Sequence, residues 1–179
     1  MGILYKMDLH RNYGRTKLTL REKLFMPPQF KYVKILRKCQ ETNGIAQLFN
    51  RIRLKKQERM LHIQIPFQTQ IGGGLHISHF GRIIVNRDVI IGKNVTLSTW
   101  VVIGEESRGV RKGCPTIGDC VLICPNAVVV GKIKIGNDVI IAPNAYVNFD
   151  VPDHSIVIGN PGKIIYKENA TQGYIGNKV

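Results

Sequence analysis

The sequence predicts an all-β core, a coil of short strands with a corner after every six residues, behind a basic and mainly helical N-terminal segment. Three observations predict it. The first is a ladder of branched apolar residues six apart: Ile65, Ile71 and Ile77, then Val85, Ile91, Leu97 and Ile103, then Ile117, Ile123, Val129, Ile135, Ile141 and Val147. Neither a helical period nor plain alternation produces this register, whereas a stacked coil does. The second is a parallel ladder two positions earlier in most steps, through Ile83, Val89, Val95, Val101, Val121, Ala127, Ile133, Val139 and Ala145. The third is glycine directly after a ladder residue, at Gly72, Gly92, Gly104, Gly118 and Gly136, where a missing Cβ relieves crowding near a corner. A sandwich of hairpins would instead place Asn-Gly or Asp-Gly turns along this stretch, and Ile65 to Val147 contains none.

A single rung cannot bury its own apolar side, so stacked rungs form a rigid prism, and chemistry is expected where the period breaks. It breaks twice. From Ile77 to Val85 the step is eight residues, the extra two falling in Ser78-His79-Phe80-Gly81. From Ile103 to Ile117 it is fourteen, which inserts a polar loop through Arg108, Arg111, Lys112 and Gly113 to Cys114-Pro115. A loop of that composition projects from the prism.

The N-terminal segment carries the charge. Of a net +14, residues 1–63 hold +11. Pro27-Pro28 divides this segment, and two helices are expected after it, over about 30–40 and 45–60 with a break at Asn43-Gly44. In the second, Ile45, Leu48, Phe49, Ile52 and Leu54 provide an apolar side and Arg51, Arg53, Lys55, Lys56 and Arg59 crowd the rest. Such a helix suits an anionic membrane surface or a polyanion; the plainer alternative is that its apolar side caps the open end of the prism. Nucleic acid is not expected as a partner, because aromatic residues are only 7% of the chain and no recognition motif accompanies the charge. No run of eighteen apolar residues and no signal-peptide core occur, so a cytoplasmic protein is expected, with peripheral membrane contact through the basic segment as an alternative to plain packing of that segment. The four cysteines, Cys39, Cys114, Cys120 and Cys124, lack paired zinc spacing, and the five histidines form no metal-binding motif, so no metal is expected. The domain organisation expected is 1–63 as the basic helical segment, 64–165 as the coil and 166–179 as a tail.

The ladder, the segment Ile71-Gly-Gly-Gly-Leu-His-Ile-Ser-His79, the loop ending Cys114-Pro-Thr-Ile-Gly118 and the tail Val151-Pro-Asp-His-Ser-Ile-Val-Ile-Gly-Asn-Pro-Gly-Lys163 together resemble the serine acetyltransferase family of hexapeptide-repeat acyltransferases, over roughly residues 60–165. The short members associated with polysaccharide or capsule biosynthesis are the most similar. The resemblance implies a left-handed parallel β-helix, a homotrimer, and acetyl-CoA lying between adjacent prisms. It also implies that His79 is the catalytic base, taking a proton from an acceptor hydroxyl as that hydroxyl attacks the thioester. By the same resemblance the coenzyme runs past Gly131, Ala142 and Pro143, where backbone amides are expected to be exposed, and approaches Asn160 and Lys163.

The departures concern the acceptor. Gln64 stands where the family has a carboxylate that orients the histidine, and Gly113-Cys114 where it has an Arg-His pair that grips serine. Arg111 remains nearby to meet a carboxylate or phosphate, with a solvated loop charge as the alternative. Cys114 is expected to line the acceptor pocket rather than to form a nucleophilic pair with His79. Without fixed charges for both ends of an amino acid, the expected acceptor is a saccharide hydroxyl, free or lipid-linked. Free serine is the alternative, and a non-catalytic trimeric scaffold a further one.

Overall fold

The computed structural model describes residues 2–179. Its N-terminal segment forms α1 (Ile3–Tyr13), α2 (Leu20–Leu24), α3 (Pro28–Glu41) and α4 (Gly44–Leu61). The expected helices correspond to α3 and α4, whereas α1 and α2 lie in the stretch before Pro27. α1 stops where Gly14 turns left-handed at φ 69°, and α2 starts at a capping box between Thr19 and Glu22.

Five coils follow. The first holds β1 (Ile63–Gln64), β2 (Gln70–Ile71) and β3 (His76–Ile77); the second β4 (Ile83–Val85), β5 (Ile90–Ile91) and β6 (Thr96–Leu97); the third β7 (Val102–Gly104), β8 (Thr116–Ile117) and β9 (Val121–Ile123). The fourth holds β10 (Val128–Val130), β11 (Lys134–Ile135) and β12 (Val139–Ile141), and the fifth β13 (Tyr146–Val147) and β14 (Ser155–Ile158), with β15 (Lys163–Tyr166) turning back on it. Parallel pairing stacks them into three faces: β1-β4-β7-β10-β13, β2-β5-β8-β11, and β3-β6-β9-β12-β14. Every residue of both ladders is buried. The six-residue step is therefore one face plus one corner, with ladder residues pointing into a continuous apolar axis.

Four of the five glycines stack on the corner between the second and third faces. A Cβ at Gly72 would meet the Gly92 backbone at 2.7 Å, one at Gly92 the Gly118 carbonyl at 2.6 Å, and one at Gly118 the Gly136 carbonyl at 2.6 Å. Backbone runs too close for any side chain there. Gly104, on another corner, is not crowded in this way.

α3 closes the open end of the prism with Phe30, Tyr32, Val33, Ile35, Leu36 and Cys39, and the Tyr32 hydroxyl bridges the carbonyl and amide of Ile65. The ion pair Arg37–Asp8 (2.8 Å) is fully buried and fully used: Arg37 donates to the carbonyls of Ile71 (2.8 Å) and Gly72 (2.6 Å), and Asp8 accepts from Leu75 N–H (2.9 Å). The apolar side of α4 does not cap the prism. α4 buries only Asn50, Leu54 and Leu61, because α3 already covers the first coil, and Ile45, Leu48, Phe49 and Ile52 face outward.

Candidate active site

The first break in the period forms the corner from β3 to β4. Ser78 N–H donates to Leu97 O (3.1 Å), Gly81 N–H to Leu61 O (3.1 Å) and Ile83 N–H to His62 O (3.1 Å), so the bend is pinned on both sides. Between those pins His79 and Phe80 project, exposed. Gly81 permits the turn at φ 146°, with Thr99 Cγ2 3.2 Å from where a Cβ would stand. In the next coil the same corner holds Trp100, the only tryptophan, exposed and left-handed at φ 63°, with the Arg82 guanidinium 5.5 Å over its ring. Asn126 and Asn144 occupy that position in later coils, where a short polar side chain tolerates the left-handed region. An indole there is strained and unburied, as at sites shaped for a ligand. Trp100 belongs to no sequence motif; a bulky residue where its repeats carry asparagine is its one signal.

His76 lies three residues before His79 and is built differently. Asn12 Nδ2 donates to Asp8 O (2.7 Å) and Leu75 O (3.1 Å), which turns its amide oxygen to His76 Nδ1 at 2.7 Å, so His76 donates from Nδ1. Burial, with the Arg11 and His79 charges adding to it, pushes its pKa down to about 4. It is a neutral anchor for α1. Among the described residues, no three His, Cys, Asp or Glu side chains gather where they could hold a metal ion.

The second break lies on the corner between the first and second faces. Glu106 and Gly113 exchange backbone hydrogen bonds at 3.0 Å, closing a loop whose tip, Ser107 to Val110, is solvent-exposed. Arg111 is not free: its Nε lies 3.3 Å from Glu106 Oε2, and its carbonyl accepts from Lys132 N–H at 2.8 Å. Gly113, at φ 129°, packs on Lys132. Cys114 is half-buried against the core, and burial, then the charges of Glu105 and Asp88, pushes its thiol up. A protonated thiol is a poor nucleophile.

The remaining candidates divide between these two edges. Ala142 and Pro143 in the fourth coil and Asn160 after the fifth lie on the same edge as His79 and Trp100. Gly131 lies on the other edge, buried beneath the loop and close to Glu106 and Arg111. The amides expected to be exposed are taken by the coil ladder, Gly131 N–H by Gly104 O (3.2 Å) and Ala142 N–H by Val157 O (2.8 Å). Lys163 opens β15, which pairs antiparallel with β14, so its backbone is held rather than free. Gln64 is exposed on the first face and lines a cleft under α4. Among the described residues no hydrogen bond joins Gln64 to His79. A face of about five residues, roughly 15 Å, separates the edge of His79 from the edge of Cys114.

The family model Bacterial transferase hexapeptide (six repeats) matches residues 114–148. A serine acetyltransferase of Staphylococcus aureus is 37% identical over 111 residues, 62% of this chain and 52% of its own length. One from Mycobacterium tuberculosis is 35% identical over 103 residues, 58% of this chain and 45% of its own. The chain thus spans about half the length of the relatives it matches. Among solved structures, soybean serine acetyltransferase apoenzyme superposes with a TM-score of 0.76 at 23% identity, covering 90% of this chain and 67% of that one. Brucella abortus serine acetyltransferase in complex with coenzyme A gives 0.77 at 21%, covering 92% and 67%. At these identities the likeness is one of fold: a left-handed parallel β-helix with a small helical region at its start.

Proposed function

We propose that this chain, a serine acetyltransferase-like hexapeptide-repeat protein, moves the acetyl group of acetyl-CoA onto an acceptor hydroxyl with His79 as general base. The observation that carries this is the placement of an exposed imidazole in the first break of the repeat, on the edge that also holds Ala142, Pro143 and Asn160. His79 takes the acceptor's proton as its oxygen attacks the thioester carbonyl. The tetrahedral intermediate then collapses, the carbon–sulfur bond breaks, and the imidazolium returns the proton to the departing thiolate. No enzyme nucleophile is required, in keeping with the raised Cys114 pKa. The relative solved with coenzyme A supports acetyl-CoA as donor.

The named relatives support L-serine as acceptor, ahead of the saccharide expected from the sequence. A saccharide is the second reading, favoured by one observation. The exposed Trp100 ring in the next coil below His79 offers a flat apolar surface of the kind that stacks on a sugar, while Arg111 is paired to Glu106. In this reading residues 64–165 carry the chemistry, and neighbouring copies in a homotrimer bring the His79 edge of one chain to the loop edge of the next.

Thiol release from acetyl-CoA, run against L-serine and a panel of nucleotide sugars and oligosaccharides at equal concentration, tests this. His79→Ala is expected to lose about 10²–10⁴-fold in kcat with its fold intact. Turnover of serine alone establishes the first acceptor and turnover of a sugar alone the second. Wild-type rates in His79→Ala, or no thiol release with any acceptor, would overturn the proposal.

A further inference from the structure

α4 is amphipathic with its apolar stripe on the wrong side for a cap. Ile45 (88% exposed), Leu48 (55%), Phe49 (62%) and Ile52 (62%) follow the spacing of a single helix face, opposite to the buried Asn50, Leu54 and Leu61. Toward the C-terminal end the outward half turns basic, through Lys55, Lys56 and Arg59, with Arg51 and Arg53 at the flanks. The Arg53 guanidinium lies 5.9 Å over the Phe49 ring, so charge and apolar surface adjoin. Beside the helix a cleft of about 880 Å³ opens onto the first coil, lined by Leu48, Ile52, Met60 and Phe67 together with Arg51 and Arg59.

We infer that α4 is a membrane-surface helix, which lies in the headgroup region of an anionic bilayer with Ile45, Leu48, Phe49 and Ile52 inserted and the bases on lipid phosphates. Charge complementarity selects this occupant. α4 carries five bases against a single acid, Glu58, already tied to Lys55 at 2.8 Å, so a second copy of the helix would meet it with charge of the same sign. An anionic bilayer offers the opposite charge and an apolar interior together. The helix lies on the membrane and does not cross it, since among the described residues no helix is long and apolar enough to span. Its length, 18 residues or about 27 Å, lets stripe and bases act along one line in the bilayer plane.

The test is co-sedimentation of the full chain with vesicles of phosphatidylcholine alone or with about 30% phosphatidylglycerol, at about 0.05 and 0.5 M salt. Binding is expected only to anionic vesicles and only at low salt. Lys55→Gln/Lys56→Gln/Arg59→Gln is expected to weaken it about a hundredfold, near fivefold per base. Phe49→Ser/Ile52→Ser is expected to lose it as well, with an unchanged circular dichroism spectrum, since both side chains are exposed. Absence of binding to anionic vesicles at low salt, or equal binding to both compositions, would overturn the inference. So would a fall in oligomeric mass on Phe49→Ser/Ile52→Ser with vesicle binding intact, which would mean that another copy covers the stripe. The composition and salt comparisons use the unaltered chain and can overturn the inference even if a variant misfolds.

Discussion

Two histidines three residues apart differ because of what surrounds them. His79 stands in solvent on a projecting corner, as the proposed role of general base requires. His76 is held by Asn12 and buried, and its pKa of about 4 lies below the ordinary 6.5. The unfolded chain therefore binds this proton more tightly than the folded one. His76 contributes stability that is fully present above about pH 6.5 and is lost as pH falls through about 4. His76→Gln, which keeps a donor for Asn12, is expected to flatten the fall in Tm between those pH values. Thermal melts across the range check it, and a slope unchanged by the substitution would assign the pH dependence to other groups.

At the level of elements, the C-terminal tail is a clasp. Residues 167–179 run from the fifth coil back along the corner between the second and third faces. Asp138 accepts from Ala170 N–H (2.9 Å), Thr171 N–H (2.9 Å), Thr171 Oγ1 (2.6 Å) and His154 Nδ1 (2.8 Å), and Asn94 takes the Val179 amide and carbonyl at 2.9 Å each. Burial alone raises the Asp138 carboxyl, but the Thr171, His154 and Ala170 hydrogen bonds outweigh it and hold the pKa at about 2. A depressed carboxyl contributes stability present above its unfolded value of 3.8 and lost as pH falls through about 2. Asp138→Ala is expected to cost about 1–3 kcal/mol at neutral pH, by leaving several donors without their acceptor. Acidification from pH 4 to pH 2 is expected to loosen the wild-type tail, seen as pepsin cleavage after residue 166, while the Asp138→Ala tail is already susceptible at pH 4.

At the level of the molecule, the prism keeps the His79 edge and the loop edge of one chain apart by a full face. If the proposed trimer joins them, an active site contains His79 from one copy and the loop from the next. Two inactive variants, His79→Ala and one whose loop is cut back between Glu106 and Gly113, are then expected to regain about a quarter of full activity when refolded together in equal amounts, since each closed ring pairs sound halves at that frequency. Activity measured before and after mixing checks this. No recovery in mixed trimers of confirmed composition would place the whole site within one chain.

The sequence by itself determined the coil, the positions of both breaks and the residue standing in each. A ladder in step with the strand-and-corner repeat can bury its apolar residues in only one way, and the ladder residues from Ile65 to Val147 all take that way. Trp100 on the His79 edge, the pairing of Arg111 with Glu106, the engaged amides of Gly131 and Ala142 and the outward face of α4 were decided only by the tertiary structure. Each depends on which residue of a neighbouring coil or helix lies alongside. The apolar side of α4 illustrates the reason: periodicity defines the stripe, but whether it caps the prism or faces outward depends on α3, which reaches the first coil and leaves only Leu54 and Leu61 of α4 in the core.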